Sequence, residues 1–546
     1  MAELSHTRGP TEVPLLRETI GANLAATTAR FPNRDALIVR HQGVRWTYAQ
    51  LWDEVDQLAR ALLAVGFHKG DRIGMWSPNH AEWVVTQFAT ARLGIILVNI
   101  NPAYRTHEVH YALQQSGCRG LVAAPTFKTS DYVAMVEEVR GDLDDLEHVW
   151  FLGQDSWNQL LSRADEVEPE AVVAREATLH CDDPINIQYT SGTTGYPKGA
   201  TLSHANILNN GLFVGRACGY TEEDKVCIPV PFYHCFGMVM GNLGCTTHGA
   251  TMVIPAPSFE PQATLAAIAE EGCTSLYGVP TMFIAQLGAD DFEAYDLSSL
   301  RTGIMAGSPC PVEVMKQCIA RMNLSDVTIA YGMTETSPVS TQTAADDALD
   351  KRVRTVGRVH PHVEIKIVDP ETGETVPRGV PGEFCTRGYS VMQGYWNDPE
   401  RTAQAIDEDG FMHTGDLATM DEDGYVNIVG RTKDMVIRGG ENVYPREIEE
   451  FLYGHPHIRD VQVVGVPDRK YGEELMAWVQ PEPGKSVTAD DVRAFCHGKI
   501  AHFKIPRYVA EIDDFPMTVT GKIQKFKLRD RAIEELGLAG EIEETA

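Results

Sequence analysis

The sequence is short of positive charge. Lys and Arg number 47 against 76 Asp and Glu, a formal net charge of −29 over 546 residues. That balance argues against general nucleic-acid binding, which needs a basic footprint, and against an anionic membrane surface as the default partner. Any site for an anionic substrate must therefore be basic locally. Paired cysteine spacings are also missing. Eleven cysteines are scattered without a C-x-x-C, which reads as reduced thiols in a cytoplasmic protein. Long apolar runs are few. The most apolar stretch, 83–104, is broken by Arg92 and Asn99, so no transmembrane span is expected. Residues 1–14 are polar and lack an apolar h-region, and the last four, Glu-Glu-Thr-Ala, are not a peroxisomal address. No internal repeat or low-complexity tract stands out. What is present is an ordinary 43% of hydrophobic residues on a chain too long for one core, so two or more domains are expected.

Hydrophobic period and punctuation then give the elements. Residues 14–31 read as an amphipathic helix, and 36–48 as a hairpin turning at Gln42-Gly43. Thr47 is placed to cap a helix with Leu51, Val55, Leu58 and Leu62 on one face, ended by Gly66. From Arg72 strands and helices alternate: strands over 72–76, 95–99 and 120–124, helices over 81–93 and 106–115. The pattern resumes with a helix over 205–214, strands over 225–229, 251–254, 275–279 and 303–305, and helices over 261–271 and 311–321. Such alternation predicts parallel sheets covered by helices. From about Val356 alternating short runs and Gly-Pro turns suggest a small antiparallel, barrel-like unit. A further change at Gly430-Arg431-Thr432-Lys433-Asp434 opens about 110 residues with their own elements, a size that suits a separate lobe. Helices are expected there over 446–453, 490–499 (capped by Thr488) and 523–533.

Five stretches carry chemistry. The densest is Tyr189-Thr190-Ser191-Gly192-Thr193-Thr194-Gly195-Tyr196-Pro197-Lys198-Gly199-Ala200, in which seven of twelve residues are Ser, Thr or Gly and Lys198 is the one charge. Glycines let backbone N–H groups crowd an anion, and hydroxyls and Lys198 add to the cradle. The natural guest is a polyphosphate, though Pro197-Lys198-Gly199 stands where a Walker A loop needs Gly-Lys-Ser/Thr. The second, Tyr331-Gly332-Met333-Thr334-Glu335-Thr336, follows a short apolar run, at a strand end where open α/β sheets place ligands. Its aromatic, glycine, hydroxyl and carboxylate can stack a base, approach it, bond a phosphate and hold Mg²⁺. In the third, Thr414-Gly415-Asp416, the carboxylate can accept hydrogen bonds from ribose hydroxyls. The fourth runs from Gly430 through Arg431 and Lys433 to Gly439-Gly440-Glu441, a domain junction followed by a bend that a linear ligand could pass closely. The fifth sets Lys522 on a glycine-containing turn before Lys525, Lys527 and Arg529. Each piece alone has a plainer reading as a polar turn, a linker or a solvated helix start.

Together, in this order and spacing, the five resemble the acyl-adenylate-forming superfamily: acyl-CoA synthetases, peptide-synthetase adenylation domains and beetle luciferases. The resemblance covers roughly 31–528 and is nearest to bacterial fatty-acyl-CoA ligases. It implies an α/β fold. A large N-terminal domain, 1–432, would hold two parallel-type sheets and the small β-barrel-like subdomain. A mobile α+β domain, 433–546, would turn on a hinge at Lys433. It also implies roles. Thr190, Ser191, Gly192, Thr193, Thr194, Gly195 and Lys198 would form the phosphate loop, with Thr334 on phosphate as well. Glu335 would hold Mg²⁺. Tyr331 would stack on adenine alongside Gly307-Ser308-Pro309 and Gly332, and Asp416 and Arg431 would hold the ribose. Lys522 would bridge the substrate carboxylate and the α-phosphate. After rotation, Gly439, Gly440 and Glu441 would line the path of coenzyme A. His234, in Phe232-Tyr233-His234-Cys235-Phe236-Gly237-Met238, would gate the acid site, and Met238, Tyr277, Gly278, Val279, Met305, Gly307, Gly332 and Met333 would add pocket walls.

The implied activity is ligation of a medium- or long-chain fatty acid to CoA with ATP, through acyl-AMP and release of pyrophosphate. Kept beside it are a CoA ligase for an aryl or small branched acid, a stand-alone enzyme loading a carrier protein, a luciferase-type oxygenase and a non-enzymatic nucleotide sensor. Partners are small molecules, with monomer and homodimer both open.

Overall fold

The computed structural model describes residues 3–190, 197–308, 310–431, 433–438, 441–518 and 522–538. Capping residues set the early elements. The Thr47 hydroxyl accepts from Gln50 N at 3.3 Å and the Gln50 side chain accepts from Thr47 N at 2.9 Å. This capping box satisfies two N–H groups that the helix Tyr48–Val65 leaves without partners. Gly66 ends that helix at φ +92°, a conformation open to glycine without strain. The helix expected over 14–31 is shorter, Ile20–Arg30. Thr19 caps it, and just before it Asn209 accepts from Leu16 N at 2.7 Å and donates to Leu16 O at 3.1 Å. Those bonds occupy backbone groups that an extra turn would need.

Two large sheets carry the site. One runs Gly394–Tyr395, Lys198–Ser203, Pro184–Thr190, Ile96–Asn99, Arg72–Trp76, Gly120–Ala123, His148–Phe151, parallel from Pro184–Thr190 onward. The other runs Arg358–Val359, Val339–Gln342, Asp326–Gly332, Thr302–Ala306, Ser275–Gly278, Lys225–Cys227, Thr251–Ile254, Asp35–Val39, Val44–Thr47. Its five interior pairings, from Asp326–Gly332 to Asp35–Val39, are parallel. Helices cover both sheets, as the alternation predicts. The small antiparallel unit is a five-stranded sheet, and it holds a strand the sequence reading missed: His6–Arg8 pairs with Val363–Val368. A fourth sheet lies wholly within 436–511 and is built on the antiparallel pair Ile458–Asp468 and Gly472–Pro481.

Arg92 shows what the interrupted apolar stretch is for. It is 2% exposed, pairs with Asp56 at 3.0 Å and Glu176 at 2.5 Å, and lies 3.9 Å from the Trp52 ring. A buried guanidinium is tolerated only with such a full set of partners. All eleven cysteines are free and buried. Among the described residues no helix is long and apolar enough to cross a membrane.

Candidate active site

The chemistry-bearing segments meet at the carboxyl ends of the parallel strands, as open α/β sheets dispose ligands. Thr190 ends the strand Pro184–Thr190, and Lys198 begins its antiparallel partner, opposite Thr190 in register. The two strands thus pair as a hairpin, with the described ends of the Ser/Thr/Gly stretch, Thr190 and Lys198, facing each other across it. Of the residues expected there, Ser191, Gly192, Thr193, Thr194 and Gly195 lie outside the described residues, as do Pro309, Gly439 and Gly440. The return strand Lys198–Ser203 was not foreseen.

Glu335 anchors the corner beside this hairpin. It is 5% exposed, in a short helical turn Thr334–Thr336. Its Oε1 accepts from Thr190 Oγ1 at 3.3 Å and from the Tyr395 hydroxyl at 2.9 Å. Its backbone oxygen accepts from Met392 N at 2.9 Å. Lys198 Nζ lies 4.8 Å from the Tyr395 ring centroid. A carboxylate and two hydroxyls are hard oxygen donors, the set that suits Mg²⁺. Tyr395 was missed in the sequence. It arrives through the strand Gly394–Tyr395, which pairs with Ala200, and no local pattern announces it.

A second group lies along Asp326–Gly332 and the strand Met412–Met420 of the five-stranded sheet. The Tyr331 hydroxyl donates to Asp416 Oδ2 at 2.7 Å, and Arg431 Nε donates to Asp416 Oδ1 at 3.1 Å. Asp416 and Arg431 face each other in register. Burial and the Asp416 charge hold the Tyr331 phenol well above its usual range, so it stays a donor. The Tyr331 ring meets Phe384 edge-on, with centroids 5.1 Å apart. Gly332 follows because nothing larger fits: a Cβ there would sit 1.8 Å from the Pro338 carbonyl oxygen. Glu383, also missed, braces the next turn. Its Oε1 accepts from Gly415 N at 2.9 Å and its Oε2 lies 2.9 Å from His413 Nδ1.

The third group gathers around Lys522. Lys522 is tied to Thr518, its N–H donating to Thr518 Oγ1 at 3.0 Å and its carbonyl accepting from Thr518 N at 2.7 Å. Its side chain lines a cavity with Val230, Pro231, His234, Phe236, Val279 and Gly307. The free space among them is about 10 Å³, close to that of a single water probe. Gly307 stands at φ +89°, a conformation that favours glycine, and a Cβ there would press to 3.1 Å from Val279 Cγ1 on the cavity wall. Burial first, and then the Arg431 charge, lower the Lys522 ammonium below its usual value, with Asp416 and Glu335 acting against them. One lysine is thus brought near Arg431, Asp416 and Glu335, three of the charged residues expected at the site. Burial, with the Lys522 charge, pulls His234 down to about 3, so its ring is neutral at pH 7. Phe236 N donates to His234 Nδ1 at 3.2 Å, which leaves the ring proton on Nε2.

Met238, Tyr277, Gly278, Met305, Gly332 and Met333, also expected as walls, are not among the residues that line this small cavity. The Met238 sulfur accepts from Asn99 and Gln188 on the neighbouring sheet. Tyr277 is fully buried and donates to Met240 O at 3.1 Å. Met333 packs, partly buried, on the same core as both. Met305 packs with Met315 and Cys318 in a different core, because alternate residues of a strand face opposite ways. Phe236–Leu243 is a π-helix; its wider turn leaves the carbonyls of Met238 and Met240 free to accept from Gln87 and Tyr277. Ser308 follows Gly307 at the strand end, and Thr334 is 8% exposed beside Glu335. Lys433 lies in the turn between Val426–Arg431 and Val436–Arg438, and Glu441 is exposed at the start of the strand Glu441–Val443.

Comparison with known proteins fits this geometry. Residues 24–396 match the profile of the family described as AMP-binding enzyme, and residues 447–522 match AMP-binding enzyme C-terminal domain. The chain belongs to the AMP-binding enzyme family. It is 49% identical over 544 residues to YngI of Bacillus subtilis (strain 168), covering 96% of this chain and 99% of that one. It is 45% identical over 560 residues to the mitochondrial medium-chain acyl-CoA ligase ACSF2 of Rattus norvegicus, covering 98% and 91%. Among solved structures, the anthranilate CoA ligase AuaEII in complex with anthranoyl-AMP superposes with a TM-score of 0.85 at 28% identity, covering 96% and 98%. ATP-bound MatB from Rhodopseudomonas palustris gives 0.83 at 31%, covering 94% and 98%. This AMP-binding enzyme is an ATP-dependent, AMP-forming acid–CoA ligase with the α/β fold of the adenylate-forming superfamily.

Proposed function

We propose that this ligase activates a medium- or long-chain fatty acid in the cytoplasm, with Lys522 as the residue that makes acid attack on ATP possible. The observation that carries the reading is the company of Lys522: a neutral His234 and apolar Val230, Pro231, Phe236 and Val279 on one side, and the charges of Glu335, Asp416 and Arg431 on the other. Apolar walls suit an alkyl chain, and the name of the ACSF2 relative points to the medium-chain end.

The chemistry follows from charge. A carboxylate oxygen must form a bond to the α-phosphorus of a group that is also anionic, while the bond from that phosphorus to the bridging oxygen breaks and pyrophosphate leaves. The Lys522 ammonium between them offsets that repulsion and stabilises the charge that spreads in the transition state. His234 Nε2–H is free to donate toward a carboxylate oxygen. Asp416 accepts from the ribose hydroxyls with Arg431 steadying it, Tyr331 offers its ring to adenine, and Thr190, Thr334 and Lys198 hold phosphate oxygens. Glu335, with Thr190 and Tyr395 around it, would hold Mg²⁺, which when bound neutralises phosphate charge. No side chain becomes covalently attached. In the second half-reaction the CoA sulfur forms a bond to the acyl carbon, the bond from that carbon to the AMP oxygen breaks, and the thiol proton is released. A thiol with pKa near about 8.5 needs little activation for this. The C-terminal lobe, hinged at Lys433, rotates between the halves. That withdraws Lys522 and brings the Gly439-Gly440-Glu441 stretch alongside the pantetheine, a motion that also shields a hydrolysable intermediate.

The test is pyrophosphate release across a panel of carboxylic acids, with and without CoA, with the thioester identified by mass. A preference for benzoate over octanoate would replace the fatty-acid reading with the aryl one. Release without a CoA product would replace it with carrier loading. For the role of Lys522, Lys522→Ala should suppress adenylation far more than thioester formation from supplied acyl-AMP; equal losses would remove that role.

A further inference from the structure

Two buried carboxamides lie beneath His234, and neither belongs to any of the five motif stretches. The strands Ile96–Asn99 and Pro184–Thr190 are parallel neighbours, with Asn99 opposite Gln188 in register. Each of these side chains is 2% exposed. Between them they hold the segment 233–238 at three points. Asn99 Nδ2 donates to Tyr233 O at 2.9 Å and to Met238 Sδ at 3.2 Å. Gln188 Nε2 donates to the same sulfur at 3.1 Å, and Cys235 Sγ donates to Gln188 Oε1 at 3.1 Å. The three tethered residues stand on both sides of His234, whose ring lines the cavity with Gly307 and Lys522.

We infer that Gln188, with Asn99 beside it, is a positioning residue that sets where the His234 ring stands against the acid. The energetics favour a positional role over a merely stabilising one. A thioether is a weak acceptor, and burying an amide is unfavourable unless its hydrogen bonds are good. Two amides converging on one sulfur are a poor way to fill a core, where a Leu would do as well. They do, however, fix the direction of a segment in a way that apolar packing does not. Asn99 is itself oriented, since its Oδ1 accepts from Asn186 Nδ2 at 2.9 Å. The same strand also reaches the phosphate corner. Gln188 and Thr190 are two residues apart and so share a face, and Thr190 bonds Glu335. One strand thus braces the acid side and the phosphate side of the reaction at once.

The inference rests on the reading of His234 as a contact of the acid, and the kinetic test separates the two. Gln188→Met, near-isosteric without amide groups, should raise the KM for octanoate about tenfold, the scale of a sub-ångström misplacement, while leaving the KM for ATP within about twofold. Cys235→Ala should move the octanoate KM the same way by less. Cys235→Ser should restore it, because its hydroxyl can still donate to Gln188 Oε1. This pair also serves should Gln188→Met fail to fold. In the double variant Gln188→Met/His234→Ala, the octanoate KM should match that of His234→Ala alone. Effects that multiply in the double variant, equal rises in the KM for ATP and octanoate, or a Cys235→Ser enzyme no better than Cys235→Ala would each overturn the inference. His234→Ala with an unchanged octanoate KM would overturn the reading of His234 itself, and the positional role with it.

Discussion

The Tyr331 hydroxyl donates to Asp416 Oδ2 across 2.7 Å, and so joins a strand end of the nine-stranded sheet to the five-stranded sheet. Arg431 occupies the other carboxylate oxygen. The carboxylate assigned to the ribose is therefore aimed before any nucleotide arrives. Tyr331→Phe should raise the KM for ATP about tenfold or more, the worth of one hydrogen bond to a charged acceptor. Asp416→Asn should raise it further, since it also weakens the Arg431 pair. Pyrophosphate release at varied ATP and saturating octanoate measures both.

Glu335 takes two hydroxyl donors on one oxygen. Glu335→Gln keeps the shape and removes the charge. It should shift the Mg²⁺ dependence of adenylation to concentrations higher by about tenfold or more, the scale of losing one charge-assisted contact. Tyr395→Phe should shift it less. Initial rates across a Mg²⁺ series at fixed ATP test this, and an unchanged midpoint in Glu335→Gln would assign the ion to other ligands.

Gly332 has no room for a methyl group, because the obstacle is the Pro338 carbonyl oxygen and not a movable side chain. Gly332→Ala should destabilise the enzyme by about 1–3 kcal/mol, the usual range for overpacking, and lower activity more than stability, because the displaced backbone carries Tyr331 and Glu335. Thermal midpoint and kcat, read together, check the pairing.

Burial holds His204, His234 and His360 neutral, each down at about 3. In the unfolded chain they return to about 6.5. Between those values the unfolded state binds more protons, so this stability is complete above about pH 6.5 and falls away as pH drops toward 3. His413 runs the other way. The Cys385 sulfur and the Glu383 carboxylate lift it to about 10, so its contribution is complete below about pH 6.5 and lost as pH rises through about 10. Thermal midpoints across pH should therefore fall at both ends, and His413→Gln should flatten only the alkaline side. Histidine NMR should show the His234 ring unprotonated at pH 5.

What the sequence makes legible follows from range. Thr47 with Gln50, Gly66 after its helix, and Thr488 before Ala489–Cys496 are local signals, and each is realised. The segments around Thr190, Tyr331, Asp416 and Lys522 are also legible, because glycine, hydroxyl and charge stand close together in each. Tyr395 on Glu335, Glu383 on Gly415 and Gln188 under Cys235 are not. Each depends on which strands become neighbours, and each residue is of an unremarkable type where it stands. His6–Arg8 joins a strand more than 350 residues away, and no local period foretells such a pairing. Met305 shows why a wall is harder to read than a motif: one step along its strand changes the side a residue faces, and Ile304 and Met305 pack in different cores.

The π-helix Phe236–Leu243 adds a constraint of another kind. An α-helix turns about 100° per residue, and the wider coil here uses extra chain to bring His234 and Leu243 into their relative orientation. Deleting one residue between 237 and 243, with packing holding the coil in its π geometry, would swing everything before it by roughly that angle. Length, more than chemistry, is fixed in this stretch. Side-chain swaps at its solvent-free positions can be compensated by repacking, but a single-codon deletion cannot, so natural and engineered variants of this enzyme should vary in composition here while keeping the spacing from His234 to Gly244 intact.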